Sequence, residues 1–303
     1  MNSLQKEISE LKSEKCAVIL SHTYQPAEVQ DIADFVGDSY GLSVEASRTN
    51  ADVIVFCGVR FMAETASILN PGKKVILAEK NAGCPMADMI DASDLRELKA
   101  QYPDYLVMCY VNSTAEVKAE SDVCCTSSNA VRIAGKLPEE KGIIFVPDKH
   151  LGSFVQEKTG RKMVFWDGFC PTHQWITREM ILRARDEYPD AVLLIHPEAS
   201  AECRNLCDHV LSTGEMCSFV KSSSHKKFII ATESGLLHTL RKTNPEKEFM
   251  VLSEKLICPN MKKGSLLSVK KALDGSGGEV ITVPEKIAGR ASLSLKRMLE
   301  MSV

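Results

Sequence analysis

The chain has 303 residues, 44% of them hydrophobic and 25% charged, the make-up of an ordinary soluble globular protein. Its net charge of -3 argues against a general nucleic-acid binder, which would show a basic face. No run approaches eighteen apolar residues, so no membrane span is expected. Eleven cysteines, an odd number without the dense pairing of a secreted scaffold, point to a reducing compartment with metal-binding or buried thiols. The charged opening MNSLQKEISELKSEK lacks the apolar segment of a signal peptide, and a cytoplasmic protein is expected.

In chain order, residues 4–14 read as a short polar helix, and the apolar run 17–20 as a buried strand ending at Ser21-His22. A helix is predicted over 27–35, with Val29, Ile32, Ala33 and Val36 on one face and Gly37 closing it. Ser39 is placed to cap a helix over 40–48. Strand 52–56, helix 61–69 and strand 75–78 lead to a loop carrying Cys84. The plan then repeats. Helix 92–101, strand 105–108, helix 115–120, a capping Ser127 with helix 128–136, strand 143–146, helix 151–157 and strand 163–165 lead to Cys170. Helix 178–187, strand 191–195, helix 201–210, a capping Thr213, strand 228–231, helix 236–242 and strand 249–252 lead to Cys258. The remaining helix 262–273, strand 279–283 and helix 288–298 have no counterpart and are expected to fold back on the other units.

The repetition is explicit in the residues. Glu28, Glu116 and Glu202 serve as rulers for the segments SHTYQPAEVQDIADFVGDS, CYVNSTAEVKAESDVCCTSS and IHPEASAECRNLCDHVLSTGE. Six residues after each stands an aspartate (Asp34, Asp122, Asp208), and eleven after it a hydroxyl residue (Ser39, Ser127, Thr213). Six before it stand His22, Tyr110 and His196, and four before it Tyr24, Asn112 and Glu198. The only three Cys-Pro pairs, at Cys84, Cys170 and Cys258, are 86 and 88 residues apart. Length alone would suggest two domains, but the repeat divides the chain into three units, 1–87, 88–173 and 174–258, with a tail over 259–303. Continuous apolar strands alternating with helices predict an α/β protein. Each unit is a small parallel sheet covered by helices, and three such units related by a pseudo-threefold axis would surround a central iron–sulfur cluster site. Ligands bind such sheets beyond the carboxyl ends of the strands, where His22, Tyr110 and His196 fall.

Closing the units around an axis brings Cys84, Cys170 and Cys258 to one point. Structural zinc would ask for a fourth ligand and paired CxxC spacing, which is absent. A cubane cluster suits three cysteines and leaves one iron open as a Lewis acid; the plainer alternative is three core thiols. Ser39, Ser127 and Thr213 sit where helix caps would aim N–H groups at an anionic ligand. The strand-end residues add two imidazoles, two phenols, a carboxylate and an amide, a set suited to proton transfer. His173 is an auxiliary candidate beside Cys170, although its equivalents Ala87 and Met261 carry no such group. Cys203 and Cys207, four apart on a predicted helix, would share a face. Cys16, Cys57, Cys109, Cys124, Cys125 and Cys217 read as core or incidental thiols, and His150, His209, His225 and His238 give no site signal.

The chain resembles the quinolinate synthase family, iron–sulfur enzymes of de novo NAD biosynthesis, over nearly its whole length. The resemblance rests on SHTYQPAEVQDIADFVGDS, FCGVRFMAETASIL, NAGCPMAD, CYVNSTAEVKAESD, TSSNA, GFCPTHQ, IHPEAS, STGEM and CPNMKK. It implies three pseudo-symmetric units around a 4Fe-4S cluster held by Cys84, Cys170 and Cys258, with one open iron. It also implies condensation of iminoaspartate with dihydroxyacetone phosphate to quinolinate, phosphate and water. His22, Ser39, Tyr110, Val111, Asn112, Ser127, His196, Pro197, Glu198 and Thr213 would hold the substrates. Tyr24, Tyr110, His196 and Glu198 would handle protons. A transient contact with an aspartate oxidase or aspartate dehydrogenase would supply iminoaspartate. Two features depart from the family pattern: Ala199 stands where many members have cysteine, and no C-terminal CxxCxxC is present. Competing expectations are another hydro-lyase with a three-cysteine cluster, and a non-enzymatic iron–sulfur sensor. The sensor would have no need of the matched polar registers.

Overall fold

A computed structural model describes residues 3–303; Met1 and Asn2 of the first expected unit lie outside it. The first unit runs α1 (Ser3–Glu14), β1 (Ala17–His22), α2 (Ala27–Ile32), β2 (Phe35–Gly37), α3 (Ser39–Arg48), β3 (Val53–Cys57), α4 (Arg60–Leu69) and β4 (Lys74–Leu77). The second runs α5 (Ala92–Gln101), β5 (Leu106–Tyr110), α6 (Ala115–Ala119), β6 (Val123–Cys125), α7 (Ala130–Lys136), β7 (Ile143–Val146), α8 (Lys149–Thr159) and β8 (Met163–Phe165). After a short α9 (Pro171–Gln174) come α10 (Arg178–Glu187), β9 (Val192–Ile195), α11 (Ala201–Arg204) and β10 (His209–Val210). The third unit ends with α12 (Thr213–Ser222), β11 (Lys227–Ala231), α13 (Leu236–Thr243) and β12 (Glu248–Val251). The tail holds a 3-10 turn (Met261–Lys263), α14 (Leu266–Asp274), β13 (Glu279–Val280) and α15 (Glu285–Met301).

Three separate sheets result, ordered β13-β4-β3-β1-β2, β6-β5-β7-β8 and β10-β9-β11-β12, parallel throughout except for β13. The strands β7 and β9 are buried along their whole length and β5 from Val107 onward, as apolar runs covered by helices on both faces must be. One continuous core joins all three units, with Phe56, Phe145 and Phe228 among its members. The tail returns to the first two units. β13 adds antiparallel to β4, α14 lies against α1, and α15 packs on α4, α6 and β6.

Two predicted helices are too long. The helix expected over 27–35 stops at Ile32, and Val36 and Gly37 belong to β2. The helix expected over 201–210 stops at Arg204, leaving Cys207 outside it and His209–Val210 in β10. The repeated aspartate explains both. Asp34 Oδ2 accepts the Ile19 N–H at 2.8 Å, and the Asp34 N–H donates to the Ile19 carbonyl at 2.9 Å. Asp208 makes the same pair with Leu193, at 2.8 and 3.1 Å, and Asp122 makes it with Val107, at 2.7 and 3.0 Å. This doubled bond pulls the chain out of the helix and lays the next two or three residues beside the first strand. Strands so short carry no periodicity to read.

Candidate active site

The first strand of each sheet, β1, β5 and β9, ends at one cavity of about 230 Å³. The first unit contributes His22, Tyr24 and Ser39, the second Tyr110, Asn112 and Ser127, and the third His196, Glu198 and Thr213. Val111 and Pro197 are buried behind this wall. The Val111 N–H donates to the Cys125 carbonyl, and the Pro197 carbonyl accepts from Arg204.

Cys84, Cys170 and Cys258 line the same cavity. The proline after each sets a helical turn, since its ring holds φ near the helical value and it needs no N–H at the first position. The N–H groups that follow turn toward sulfur: those of Met86 and Ala87 toward Cys84, that of His173 toward Cys170, and those of Asn260 and Met261 toward Cys258. Burial nonetheless pushes the Cys84 thiol up to about 12 and raises Cys170 and Cys258 in the same direction. Three buried thiols on one cavity, each met by backbone N–H donors, fit a metal group that binds thiolates. One metal-ligand grouping stands out among the described residues. Cys170, His173 and Glu198 offer ligand atoms within 4.8 Å of one another.

Glu198 is the hub of the polar wall and is 4% exposed. Its Oε1 accepts the Tyr110 hydroxyl at 2.6 Å, and its Oε2 lies 2.7 Å from His173 Nδ1. His173 Nε2 is 2.7 Å from Thr232 Oγ1, which is 2.7 Å from the Tyr24 hydroxyl. With His173 protonated on Nδ1, the donors run in one direction, from Tyr24 through Thr232 and His173 to Glu198, while Tyr110 meets the carboxylate from the other side. Burial opposes the Glu198 charge, but the His173 and Tyr110 donors at 2.7 and 2.6 Å offset it and lower the carboxyl below its usual range. Both phenols are pushed up by burial and by Glu198, so they are proton donors at rest.

His22 and His196 share one geometry. His22 Nδ1 accepts the Tyr24 N–H at 3.1 Å, and His196 Nδ1 accepts the Glu198 N–H at 3.3 Å. An accepting Nδ1 places the proton on Nε2. Burial holds both rings neutral, with pKa values lowered to about 3. They are therefore N–H donors near neutral pH.

The hydroxyl register differs from the prediction. Asp38, one residue earlier, caps α3 through the Gly41 N–H at 2.8 Å, and Ser212 caps α12 through Glu215 in a capping box. Ser39 and Thr213 occupy the first helical position, so their hydroxyls are not used for capping. The helix after Ser127 starts at Ala130, with Asn129 in the cap position. In the sequence Asp38 is masked by the hydroxyl residue that follows it immediately. Asp38 also faces the Gly214 N–H, and a Cβ on Gly214 would stand 2.7 Å from its Oδ2. Thus α3 and α12 begin at one shared carboxylate, which burial keeps raised in pKa. Asn112 Oδ1 is buried without a partner and is the acceptor left for a ligand.

Thr232 follows β11 at the position of Gly58 and Pro147 and has no repeated counterpart, so nothing in the sequence marks it. His173, an auxiliary candidate from the sequence, stands at the centre of the relay and stacks on His196 at 4.7 Å. Cys203 and Cys207 do not share a helix face: their thiols donate to the carbonyls of Ile176 and Cys203.

Gly168 supports the Cys170 loop. It bridges Asp148, its carbonyl accepts the Lys149 N–H at 2.9 Å, and a Cβ there would stand 2.4 Å from the Pro147 carbonyl oxygen. Gly168→Ala is expected to cost about 1–3 kcal/mol of stability and to lower iron incorporation, read by denaturant midpoint and iron content. Parental values for both would contradict this account of the loop.

Comparison with known proteins gives one consistent result. The NadA family, described as quinolinate synthetase A protein, matches residues 6–300. A protein of Caldicellulosiruptor saccharolyticus named quinolinate synthase is 51% identical over 303 residues, 100% of this chain and 99% of that protein. Proteins of the same name from Pelobacter propionicus and Dehalococcoides mccartyi strain CBDB1 are 50% and 48% identical, each over 98% of both chains.

Proposed function

This chain belongs to the quinolinate synthetase A family, and on that premise we propose how the cavity carries out the family's reaction. The enzyme is a quinolinate synthase of NAD biosynthesis. Its proposed substrates are iminoaspartate and dihydroxyacetone phosphate, joined with loss of phosphate and water. Cys84, Cys170 and Cys258 would hold a 4Fe-4S cluster whose open iron supplies Lewis acidity toward a substrate oxygen. The Nε2–H groups of His22 and His196 are donors for the carboxylates or carbonyl oxygen of the substrates. Ser39, Ser127, Thr213 and the unpartnered Asn112 Oδ1 form the polar end, beside the N-termini of α3 and α12. The three hydroxyls can donate to an anionic substrate group such as phosphate.

The observation that carries this reading is the chain of groups Tyr24–Thr232–His173–Glu198–Tyr110 on the same cavity as the three cysteines. Condensation, isomerisation and dehydration all need protons removed and returned. Glu198 is the terminal acceptor of that chain, and Tyr24 and Tyr110 are its hydroxyl donors, the groups through which protons would be removed and returned. A cluster carrier would need its cluster at the surface, whereas these cysteines face an internal cavity. No described helix is long and apolar enough to cross a membrane. A reducing cytoplasm suits eleven free thiols, and transient handover of iminoaspartate from an aspartate oxidase or dehydrogenase belongs to the same proposal.

The test is quinolinate formation by anaerobically purified protein given dihydroxyacetone phosphate and freshly generated iminoaspartate. Product that disappears after brief exposure to air is expected. A preparation with about four irons per chain that forms no quinolinate would overturn the substrate assignment and favour another hydro-lyase.

A further inference from the structure

Two residues after the repeated glutamates stand three side chains that are chemically unlike, Gln30, Lys118 and Arg204. All are nitrogen donors, and all are buried, at 4%, 0% and 2% exposure. Each reaches the carbonyl three residues before its glutamate, in its own unit's strand-end loop. Gln30 Nε2 donates to the Gln25 carbonyl at 2.8 Å, Lys118 Nζ to that of Ser113 at 2.8 Å, and Arg204 Nη1 to that of Ala199 at 2.6 Å.

Each also reaches a carbonyl of a neighbouring unit: Gly235 at 3.1 Å from Gln30, Phe61 at 3.3 Å from Lys118, and His150 at 3.0 Å from Arg204. These acceptors are equivalent. They lie four residues past Ala231, Cys57 and Val146, which pair with Ile195, Ser21 and Cys109 at matching positions of the three sheets. The contacts close a cycle, with the first unit holding the third, the second holding the first and the third holding the second. Where the chain leaves a strand and turns at a seam, buried carbonyls have no ladder partner and must find a donor.

We infer that Gln30, Lys118 and Arg204 are positioning residues for the reaction. Each fastens one strand-end loop of the cavity wall to the unit beside it. The loops concerned are His22–Tyr24, Tyr110–Asn112 and His196–Glu198, so the three donors set how the proton-handling groups of separate units meet. Arg204 does most, because Pro197 and Ala199, whose carbonyls it holds at 3.4 and 2.6 Å, flank Glu198. It is anchored in turn by Ser153 Oγ at 3.0 Å and Glu157 at 2.7 Å. Gln30 also holds the Thr23 carbonyl at 2.9 Å. The inference rests on the proposed role of Glu198.

The test compares Arg204→Met, Arg204→Lys and Gln30→Met with the parent holoenzyme. The readouts are kcat, KM for each substrate, iron content, thermal midpoint and amide exchange over residues 196–199. Arg204→Met is expected to lower kcat about 100-fold with iron retained, and to speed amide exchange in the loop. Arg204→Lys, which keeps a donor for Ala199, should recover kcat to within about tenfold of the parent. Gln30→Met removes a neutral donor and leaves no buried charge behind; it should lower kcat about tenfold even if Arg204→Met does not fold. Folded, iron-replete Met variants with parental kcat and parental exchange would overturn the inference. A parent that forms no quinolinate would overturn the proposed reaction instead, and the exchange measurement would still decide whether the loop is held by Arg204.

Discussion

Glu198→Gln is expected to stop quinolinate formation while leaving iron and sulfide in place. Both carboxylate oxygens already face donors, Tyr110 at 2.6 Å and the His173 ring at 2.7 Å. An amide keeps the size of the side chain but presents an NH2 group to one of those donors, and a buried donor facing a donor loses its bond. The variant also removes the one negative charge that orders the relay from Tyr24. Loss of a positioned general base lowers turnover by about 10²–10⁴-fold, so a fall near 1000-fold in initial rate is expected at unchanged iron content. Cys84, Cys170 and Cys258 are untouched by the change, which separates proton transfer from metal binding. A folded variant within about threefold of the parental rate would remove Glu198 from the proton-handling role, because the weakest effect in that range is much larger.

Cys170→Ala is the second large effect, and it is expected to act in the opposite order, on metal first and turnover as a consequence. Each unit offers one cysteine, so losing one leaves two thiols for a group that needs three. Cys170 is also the cysteine beside a side-chain group, with His173 Nδ1 3.2 Å from its Sγ. Iron and sulfide content should fall to background with the secondary structure retained, and quinolinate formation should fall with them. Cys16→Ser is the control. Cys16 is exposed and remote from the cavity wall, and its substitution should change neither reading. Parental iron content in Cys170→Ala would mean that the group is held by other ligands.

The three cysteines and the polar strand-end residues were legible because they recur. A residue type that returns at the same register in three units carries information no single site does, and the α/β alternation placed those registers at the carboxyl ends of the strands. The short strands β2, β6 and β10 were not legible. The repeated aspartate was visible as a register, but its doubled bond to the first strand joins residues fifteen positions apart, as Asp34 and Ile19 do. Two of the three caps were misplaced by one residue because Asp38 and Ser212 are as good at capping as the hydroxyls that follow them, and the third lies two residues on, at Asn129.

The sequence by itself therefore determined three units, the three longer strands of each, the three Cys-Pro ligand candidates and most of the polar residues that line the cavity. Closure of the units decided the rest. Tyr110 meets Glu198 across 88 residues of chain, His173 meets Thr232 across 59, and Tyr24 meets Thr232 across 208. The cyclic donors Gln30, Lys118 and Arg204 do the same work with three different side chains, so their likeness lies in where a nitrogen sits. The reason is physical: a repeat preserves the local conformation that places a residue at a strand end, whereas a hydrogen bond between units depends on distances created only when the sheets pack together.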